Sequence, residues 1–309
     1  REALKVLAAE GLVTMKLRRG AYVTEMSRED VTQVYHLLAL LEADAAAQVA
    51  TLADDAGRAE LQALHAQLER QVHQRAGFFA TNERFHLALL RLAERLGCGV
   101  DLHVDESAED HGRGVALVSE LLLRHRIVVP LTCSHASSMA LLADRPCRRL
   151  AEAMAAAAVG VVALPTTNLW LLGKHPLRSP SLRPQAPIRQ LQEAGVTVAV
   201  GGDNVQDPWF PGGDFDPIAL LRFSLVASHL VPWRRLGLSP FSTAAAQLLG
   251  LDWDGVLREG SPADLVALGA SSWGELLARP PRRRVLRAGR WLEPPPCEEL
   301  SPLLTACHG

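Results

Sequence analysis

The sequence predicts an α/β fold in which a parallel sheet follows a helical segment. After about residue 97, short apolar runs alternate with stretches of helix length, as strands do when they are joined by crossover helices. Before about residue 90, apolar residues instead recur every three or four positions, as on one face of a helix. A chain of 309 residues with 48% hydrophobic and 21% charged residues has a globular composition, which excludes a disordered or fibrous protein.

Two amphipathic helices are predicted in the first part of the chain. The first occupies residues 31–53 and begins after an N-cap signature formed by Ser27 and Asp30. Its apolar stripe consists of Val34, Leu37, Leu38, Leu41, Ala45 and Val49. The second helix runs from Arg58 to about Ala76, with Leu61, Leu64, Leu68 and Val72 on one face. Both apolar faces need a partner surface.

Four strands and the helices between them are predicted in the second part. The strands are Val100–His103, Ile127–Thr132, Val161–Leu164 and Val196–Val200, and the helices are 107–124, 137–157 and 185–194. Parallel strands end at one common edge of their sheet, and ligands of such sheets bind at that edge. The residues that follow each strand are therefore the ones to inspect for chemistry.

Three strand ends carry polar groups of one chemical type. The first strand ends in His103, the second is followed by His135 and the fourth by Asp203. Imidazoles and carboxylates hold divalent metals, and Glu106 is placed to stand beside a metal-bound water without ligating the ion. Together they predict a hydrolytic metal centre. Taken singly, each residue also fits a structural role, such as a core histidine or a turn-forming aspartate.

Longer motifs around these residues resemble one enzyme family. The segments VDLHVDES, CSHASSM, ALPTTNLWLLGK and VAVGGDNVQDPWFPGG resemble, in order and spacing, the bacterial cytosine deaminase branch of the metal-dependent amidohydrolase superfamily. The resemblance covers about residues 88–292 and implies the last four strands of a (β/α)8 barrel. It also implies a hydrolase of C–N bonds that uses iron or zinc to replace an exocyclic amine on a pyrimidine-like ring with oxygen. The His-x-His pair that this family carries on its first strand does not occur in the sequence.

The resemblance assigns a role to each of the four polar residues. It makes His103 and Asp203 metal ligands, with Asp203 also taking the proton of the attacking water. It makes Glu106 the proton shuttle to the ring nitrogen and His135 the group that orients the attacking hydroxide. The expected partner is a small heterocyclic substrate, and the expected cofactor is a divalent metal, iron or zinc.

Three further side chains are expected at the substrate. Asn204 stands where the cytosine enzymes carry a second Asp, and Gly202 where they carry His, so the substrate is expected to differ from cytosine itself. Trp209 is placed to stack a flat heterocycle, or else it fills the barrel mouth. Asn168, with Lys174, is placed to line the pocket, or else it closes the turn that precedes it.

The N-terminal segment resembles a second family. REALKVLAAEGLVTMKLRRGAYV resembles the end of the winged helix-turn-helix of GntR regulators. SREDVTQVYHLLALLEADAAAQVATLA, followed by TNERFHLAL, resembles the start of their helical FCD effector domain. By this resemblance Arg1 in the recognition helix, with Arg18 and Arg19 in the wing, contacts DNA. Without it, Arg18 and Arg19 form an ordinary basic hairpin turn.

The predicted organisation has four parts: a winged-helix remnant at 1–26, an FCD-like helical segment at 27–88, a partial amidohydrolase barrel at 89–260, and C-terminal strands and a tail at 261–309. Three functions follow from it. An amidohydrolase ranks first, because its motifs are the most numerous. A GntR/FCD-type DNA-binding regulator and an inactive chimera of the two are the alternatives.

The composition indicates which partners and which cellular compartment suit the chain. Its 32 Lys and Arg balance 34 Asp and Glu, so affinity for DNA requires a local basic patch. Its five cysteines show no CxxC spacing, which favours a reducing cytoplasm over a disulfide framework. No apolar run reaches the roughly 20 residues that span a bilayer. A half-barrel sheet leaves edges and an apolar face, which either the N-terminal helices or the pairing of two chains in a homo-oligomer would have to cover.

Overall fold

A computed structural model describes residues 13–16, 20–23, 51, 53–175, 177–207, 209–234 and 236–293. The chain divides into two compact units, residues 1–58 with 293–309 and residues 59–292. Among the residues that the structure describes, no helix combines the length and apolar character needed to cross a lipid bilayer.

A β-hairpin lies in the described part of the first unit. Strand β1 (Val13–Lys16) pairs antiparallel with β2 (Gly20–Val23), with Val13 opposite Val23. Both a DNA-binding wing and an ordinary basic turn would form an antiparallel hairpin. The observed hairpin is therefore compatible with either interpretation. Arg1, Arg18 and Arg19 lie outside the described residues, as does nearly all of the helix predicted at 31–53.

Two helices precede the parallel sheet. Helix α1 is Asp55–Gln71 and α2 is Arg75–Leu96, so the helix predicted at 58–76 ends earlier and a second one follows it. Helix α2 ends at Gly97, whose φ of 66° lets the N–H of Cys98 reach the Ala93 carbonyl at 3.0 Å. From α2, Leu90 is buried in the hydrophobic core beside the sheet.

The central sheet has four parallel strands in chain order, as the alternation of strand and helix predicts. They are β3 (Val100–Val104), β4 (Leu131–His135), β5 (Val159–Ala163) and β6 (Val198–Val200). The helices between them are α3 (Arg113–His125), α4 (Asp144–Ala156), α5 (Pro165–Leu171) and α6 (Ile188–Glu193).

Strand β4 lies about four residues later than the prediction of Ile127–Thr132. Arg126 ends α3 in a left-handed conformation, and the N–H of Ile127 bonds back to the Leu122 carbonyl at 3.1 Å. Pro130 has no N–H to give to the ladder, so pairing starts at Leu131. Ile127 is nevertheless buried, which explains why the apolar run resembled a strand.

Two predicted helices begin later than expected. Helix α3 starts at Arg113 rather than 107, and a 3-10 turn at Ser137–Leu141 replaces the start of the helix predicted at 137–157. The residues that separate strand from helix form the loops at the carboxyl edge of the sheet. These loops therefore have room to carry the functional side chains.

The two faces of the sheet differ in chemistry. Alternate residues of the strands pack with the helices in one core, among them Cys133, Val161 and Val198, each at most 1% exposed. A fully buried apolar side chain of this size contributes roughly 1.5–3 kcal/mol. The intervening residues on the opposite face are more polar, and there Thr132 Oγ1 donates to Asp101 Oδ1 at 2.7 Å.

The rest of the second unit completes the fold. Helices α7 (Pro217–Ala227) and α8 (Thr243–Leu248) follow β6, with a 3-10 turn at Ser239–Phe241. A separate antiparallel sheet is formed by β7 (Leu265–Leu268), β8 (Arg283–Arg287) and β9 (Arg290–Trp291), and α9 (Trp273–Ala278) joins its first two strands. This sheet lies in the predicted C-terminal region.

Candidate active site

The backbone at the carboxyl edge of the sheet adopts left-handed conformations at residues other than glycine. The φ angles are 58° at Asp105, 73° at His135, 49° at Ala136 and 62° at Asp203. Such conformations cost about 1–3 kcal/mol each and are typical of functional sites, where the surrounding contacts hold them. Two of the four are residues to which the sequence assigns catalytic roles.

Asp105 fixes the loop that carries Glu106. Its carboxylate accepts from the backbone N–H of Gly114 at 2.9 Å and of Val115 at 2.8 Å, at the start of α3, where a negative charge is favourable. Its carbonyl accepts from the N–H of Ser138 at 3.0 Å. Asp105 therefore ties the loop after β3 both to the next helix and to the loop after β4.

The two predicted histidines are in direct contact. Strand register places Val104 opposite His135, so His103 and His135 end neighbouring strands. Nδ1 of His103 lies 3.1 Å from Nε2 of His135, and the rings meet edge to face with centroids 5.0 Å apart. The side chain of His135 is 2% exposed, whereas that of His103 is 62% exposed. Nε2 of His103 faces Asp101 Oδ2 at 3.8 Å.

Glu106 joins the pair of histidines. Its Oε2 lies 3.5 Å from Nε2 of His135, and its side chain is 35% exposed. Burial raises the pKa of Glu106, the nearby charge of Asp203 raises it further, and His103 opposes both effects. A carboxyl group with a raised pKa holds a proton more readily near neutral pH, as a proton shuttle must.

His135 is held from behind by Asn168. Nδ2 of Asn168, on α5, lies 3.0 Å from Nδ1 of His135, and the Asn168 side chain is fully buried. Burial lowers the pKa of His135 and so favours the neutral imidazole, while the charge of Asp203 acts in the opposite direction. The sequence placed Asn168 in the substrate pocket; in the structure its amide is directed at His135.

Asp203 lines a cavity of about 500 Å³ that follows β6. The cavity is also lined by Thr166, Asn204, Phe210 and Phe223. The N–H of Asn204 donates to Thr167 Oγ1 at 3.3 Å, which ties this loop to α5. A volume of this size accommodates a small heterocycle, and an apolar wall with a few polar groups is typical of such sites.

Asp207 holds the loop that carries Asn204. Its Oδ2 accepts from Nδ2 of Asn204 at 2.6 Å, and its Oδ1 accepts from the backbone N–H groups of Trp209 at 3.0 Å and Phe210 at 2.7 Å. The amide nitrogen of Asn204 is thereby directed at Asp207.

The aromatic residues of the cavity wall are Phe210, Phe215 and Phe223, whereas Trp209 is 38% exposed and is not part of this wall. Phe210 packs edge to face on Trp170 at 6.2 Å, and Nζ of Lys174 lies 4.8 Å from the centroid of the same Trp170 ring. None of these three phenylalanines is predicted from the sequence. Phe210 directly follows Trp209, so the motif identifies the correct loop, and stacking by Trp209 itself stays a prediction.

The side chains at the strand ends match a metal ion in donor type but not in number. Imidazole and carboxylate are suitable ligand types for zinc or iron. In residues 53–293, apart from the few left undescribed, no group of three or more His, Cys, Asp or Glu side chains is arranged to hold an ion. His103 and Asp203 are thus at most part of a ligand set.

Two contacting imidazoles and a carboxyl group thus lie together at the carboxyl ends of the parallel strands. The chain belongs to the Amidohydrolase family, whose model matches residues 53–292. Members of this family use a divalent metal. The match includes residues 53–88, part of the segment predicted to be FCD-like; that division into domains stays a prediction.

Two curated relatives are similar to the chain. A pterin deaminase from Rhizobium rhizogenes is 33% identical over 206 residues, which are 66% of this chain and 47% of the relative. An N-isopropylammelide isopropyl amidohydrolase from a Pseudomonas species is 30% identical over 114 residues, 36% of this chain and 28% of the relative. The chain spans about half, or less, of these relatives.

Two solved structures are similar in fold. The 5-methylcytosine deaminase from Klebsiella pneumoniae, liganded with 5-fluorocytosine, superposes with a TM-score of 0.61 and 26% identity, over 72% of this chain and 54% of that one. The N-isopropylammelide isopropylaminohydrolase from Burkholderia multivorans superposes with a TM-score of 0.55 and 28% identity, over 68% and 50% of the two chains. Both support an α/β amidohydrolase fold.

Proposed function

We propose that the chain supplies catalytic residues for the hydrolytic deamination of a heterocycle containing a pyrimidine-type ring, single or fused. The observation that carries the proposal is the contact of Glu106 with His135, 3.5 Å apart at the carboxyl edge of the sheet. The similarity to a pterin deaminase and to a 5-methylcytosine deaminase supports this substrate class. In this proposal, water replaces the exocyclic amine and ammonia leaves.

Each residue then has a defined task. Asp203 takes a proton from the attacking water, and Glu106 delivers a proton to the ring nitrogen as the carbon is attacked. His135 orients the water, and Asn204, Trp209 and the neighbouring Phe210 bound the ring. Asn204 in place of an Asp removes one negative charge from this wall, which favours a ring other than cytosine.

A divalent metal, iron or zinc, is part of the proposal, with His103 and Asp203 contributing ligands. In metal hydrolases such an ion lowers the pKa of bound water from about 15.7 to about 7. Because the described residues supply only part of a ligand set, further ligands must come from outside them. In this interpretation the sheet β3–β6 corresponds to the last four strands of a barrel.

Ammonia release tests the proposal. The chain is assayed with pterin, cytosine, isoguanine and aminotriazines in the presence of Fe²⁺, Mn²⁺ or Zn²⁺, and metal binding is measured in parallel. We expect turnover with at least one fused or single ring, loss of it in Asp203→Ala, and retention in Asp252→Asn, which changes an exposed carboxylate. Turnover that equals the Asp203→Ala background for every ring and metal rejects the deaminase. A lack of saturable metal binding as well favours the inactive chimera.

DNA binding by the N-terminal unit is a second candidate function. The supporting observation is the β1–β2 hairpin, whose connection contains Arg18 and Arg19. A binding isotherm on duplex DNA tests it: affinity should fall with salt and weaken in the double variant Arg18→Ala, Arg19→Ala. A DNA affinity that changes neither with salt nor in the double variant rejects a DNA-binding role.

A reducing cytoplasm stays the proposed location. Cys98, Cys133 and Cys147 are all free thiols, as expected where disulfides do not form. A homo-oligomer also stays a prediction, and light scattering at several protein concentrations measures it directly.

A further inference from the structure

The side-chain amide of Asn204 is held in one orientation by Asp207. Nδ2 of Asn204 donates to Oδ2 of Asp207 at 2.6 Å, and the backbone N–H of Asn204 donates to Thr167 Oγ1 at 3.3 Å. An ionised carboxylate can only accept, so the end of the amide that faces Asp207 has to be the NH₂ group. A flipped amide would set two acceptors against each other at hydrogen-bond distance.

Asp207 is itself fixed within the loop. Its Oδ1 accepts from the backbone N–H groups of Trp209 at 3.0 Å and Phe210 at 2.7 Å. Its own backbone N–H donates to the Phe210 carbonyl at 3.0 Å. Both oxygens of the carboxylate are thus engaged, and Asp207 cannot turn away from Asn204 without breaking hydrogen bonds of the loop.

The carbonyl oxygen of Asn204 is the end of the amide that is left for the cavity. Asn204 lines the cavity that follows β6, whereas Asp207 is not among the residues that line it. In the part of the chain that the structure describes, no group donates to Oδ1 of Asn204. Because its nitrogen is turned to Asp207, Asn204 offers the cavity an acceptor and no donor.

The other polar side chains of the cavity wall are acceptors as well. Asp203 and Asp214 add carboxylates, while the carboxylate of Asp216 is paired with Arg283. Thr166 donates its hydroxyl hydrogen to a backbone carbonyl at 2.7 Å. The described lining contains no Lys, Arg or His. A ring that presents N–H groups satisfies these acceptors, whereas an anionic ring meets like charge.

We propose that Asp207 is a positioning residue: it holds the Asn204 amide with the carbonyl oxygen toward the cavity, so that the site selects uncharged rings that present a ring N–H. The inference deepens the proposed deaminase function and rests on it for its catalytic meaning. A lactam ring, in which an N–H lies beside a C=O, meets this requirement. A ring nitrogen that carries only a lone pair does not.

Exchange of the two side chains tests the contact without substrate or metal. Asn204→Asp sets two carboxylates against each other and should lower the urea midpoint of the full chain. Adding Asp207→Asn restores one amide and one carboxylate, so the double variant should recover most of this loss. The measurement is made at high salt, which screens more distant charges. Asp252→Asn changes an exposed carboxylate and should recover nothing when it is added to Asn204→Asp. Strict additivity of the two exchanges overturns the contact.

A matched pair of rings tests the selection. Isocytosine carries a ring N–H, and in its O-methyl ether the same nitrogen carries only a lone pair. By titration calorimetry, we expect the unmodified chain to bind isocytosine roughly tenfold or more tightly than the ether. In Asp207→Asn, the introduced amide donates to the carbonyl oxygen of Asn204, so the Asn204 amide turns its NH₂ group to the cavity. The preference for isocytosine should then fall to parity or reverse.

The outcomes of the two arms separate this inference from the deaminase proposal. The double variant again presents an acceptor and should retain the preference for isocytosine, which decides the matter if Asp207→Asn does not fold. An unchanged preference in Asp207→Asn, its loss in the double variant, or failure of both rings to bind the unmodified chain at millimolar concentration overturns the proposal. A chain that prefers isocytosine but releases no ammonia rejects the deaminase and retains this inference.

Discussion

His103 and His135 contact each other through Nδ1 and Nε2 at 3.1 Å, although 32 residues separate them in the chain. The register pairs His103 with Ser134 and Val104 with His135, so regular alternation would direct the two histidines to opposite faces of the sheet. His135 ends β4 in a left-handed conformation, with a φ of 73°, which breaks the alternation and lets its ring meet His103. The site therefore depends both on the register of this strand pair and on the local backbone conformation of His135.

Glu106→Gln should abolish proton transfer while preserving the shape of the site. If the deaminase proposal is correct, we expect kcat for ammonia release to fall roughly 10²–10⁴-fold, with a smaller change in KM, because the amide cannot carry the proton. Steady-state assays on the best substrate measure this. Glu109→Gln changes an exposed carboxylate on the same loop and serves as the control. Equal rates for the two variants would remove Glu106 from the mechanism.

Gly160→Ala should destabilise the sheet. A Cβ at this position in β5 would run into Cδ2 of Leu248 and lie 3.3 Å from Cγ2 of Thr132. Overpacking of this kind costs about 1–3 kcal/mol. Urea unfolding of Gly160→Ala, Leu248→Ala and the double variant should show a favourable coupling of about 0.5 kcal/mol or more, because the smaller side chain relieves the overlap.

Gly274→Ala is the control for this cycle, since its Cβ would meet only Ser272 Oγ, at 3.9 Å. It should be neutral or stabilising in α9. Strict additivity of the Gly160 and Leu248 substitutions would contradict the contact.

Asp216→Asn should destabilise the second unit in a pH-dependent way. Asp216 caps α7 by accepting from the N–H of Ile218 at 2.9 Å, and its carboxylate receives two hydrogen bonds from Arg283 at 2.6 and 2.5 Å. The Arg283 bond is the main reason that the pKa of Asp216 falls from 3.8 to about 2. We expect a loss of about 1 kcal/mol at neutral pH, because asparagine keeps the cap but loses the ion pair.

The sign of the pH effect follows from the lowered pKa. The stabilisation by Asp216 is complete above 3.8 and is lost as the pH falls through about 2. The difference in unfolding free energy between the unmodified chain and Asp216→Asn should therefore shrink over this window. Asp252→Asn should show no such trend, and a difference that stays constant with pH would argue against the ion pair.

The three described thiols should react in a fixed order. Cys133 is fully buried, and burial together with Asp105 and Asp101 raises its pKa to about 12. Cys147 is 3% exposed, with a pKa raised by burial and by Asp144, whereas Cys98 is partly exposed. Maleimide labelling followed by peptide mass spectrometry should modify Cys98 first and Cys133 last. Labelling of Cys133 as fast as Cys98 would contradict its burial, and in denaturant the order should disappear.

The sequence predicts the parallel sheet well because the buried strands are apolar and bounded by turns. It misplaces the start of β4, because Ile127 is buried although it precedes the strand. Periodicity alone cannot distinguish a buried connecting segment from a strand that pairs in the sheet. The start of α3 is also missed. The residue that binds its first turn is Asp105, which accepts from the N–H of Gly114 although it lies nine residues earlier in the chain. Such side-chain contacts are set by tertiary structure rather than by local pattern.

The site residues divide in a similar way. The proximity of His103, His135 and Glu106 follows from their place at the ends of adjacent strands, and it is visible in the sequence. The orientation of Asn168 toward His135 is not visible, because the turn after Pro165 decides which way α5 directs its side chains. The presence of Phe210 in the cavity wall depends on the shape of one loop. Asp207 holds this loop by accepting hydrogen bonds from the backbone N–H groups of Trp209 and Phe210.

The double attachment of Asp105 separates the site into a stiff part and an adaptable part. Glu106 shares its loop with a residue bonded to the first turn of α3 and to the segment after β4, so any displacement of Glu106 has to move both. The loop of residues 203–213 is held chiefly by its own internal bonds and can change shape at lower cost. If the deaminase proposal is correct, an engineer seeking a new substrate would therefore randomise residues 204–213 and leave residues 105–115 unchanged.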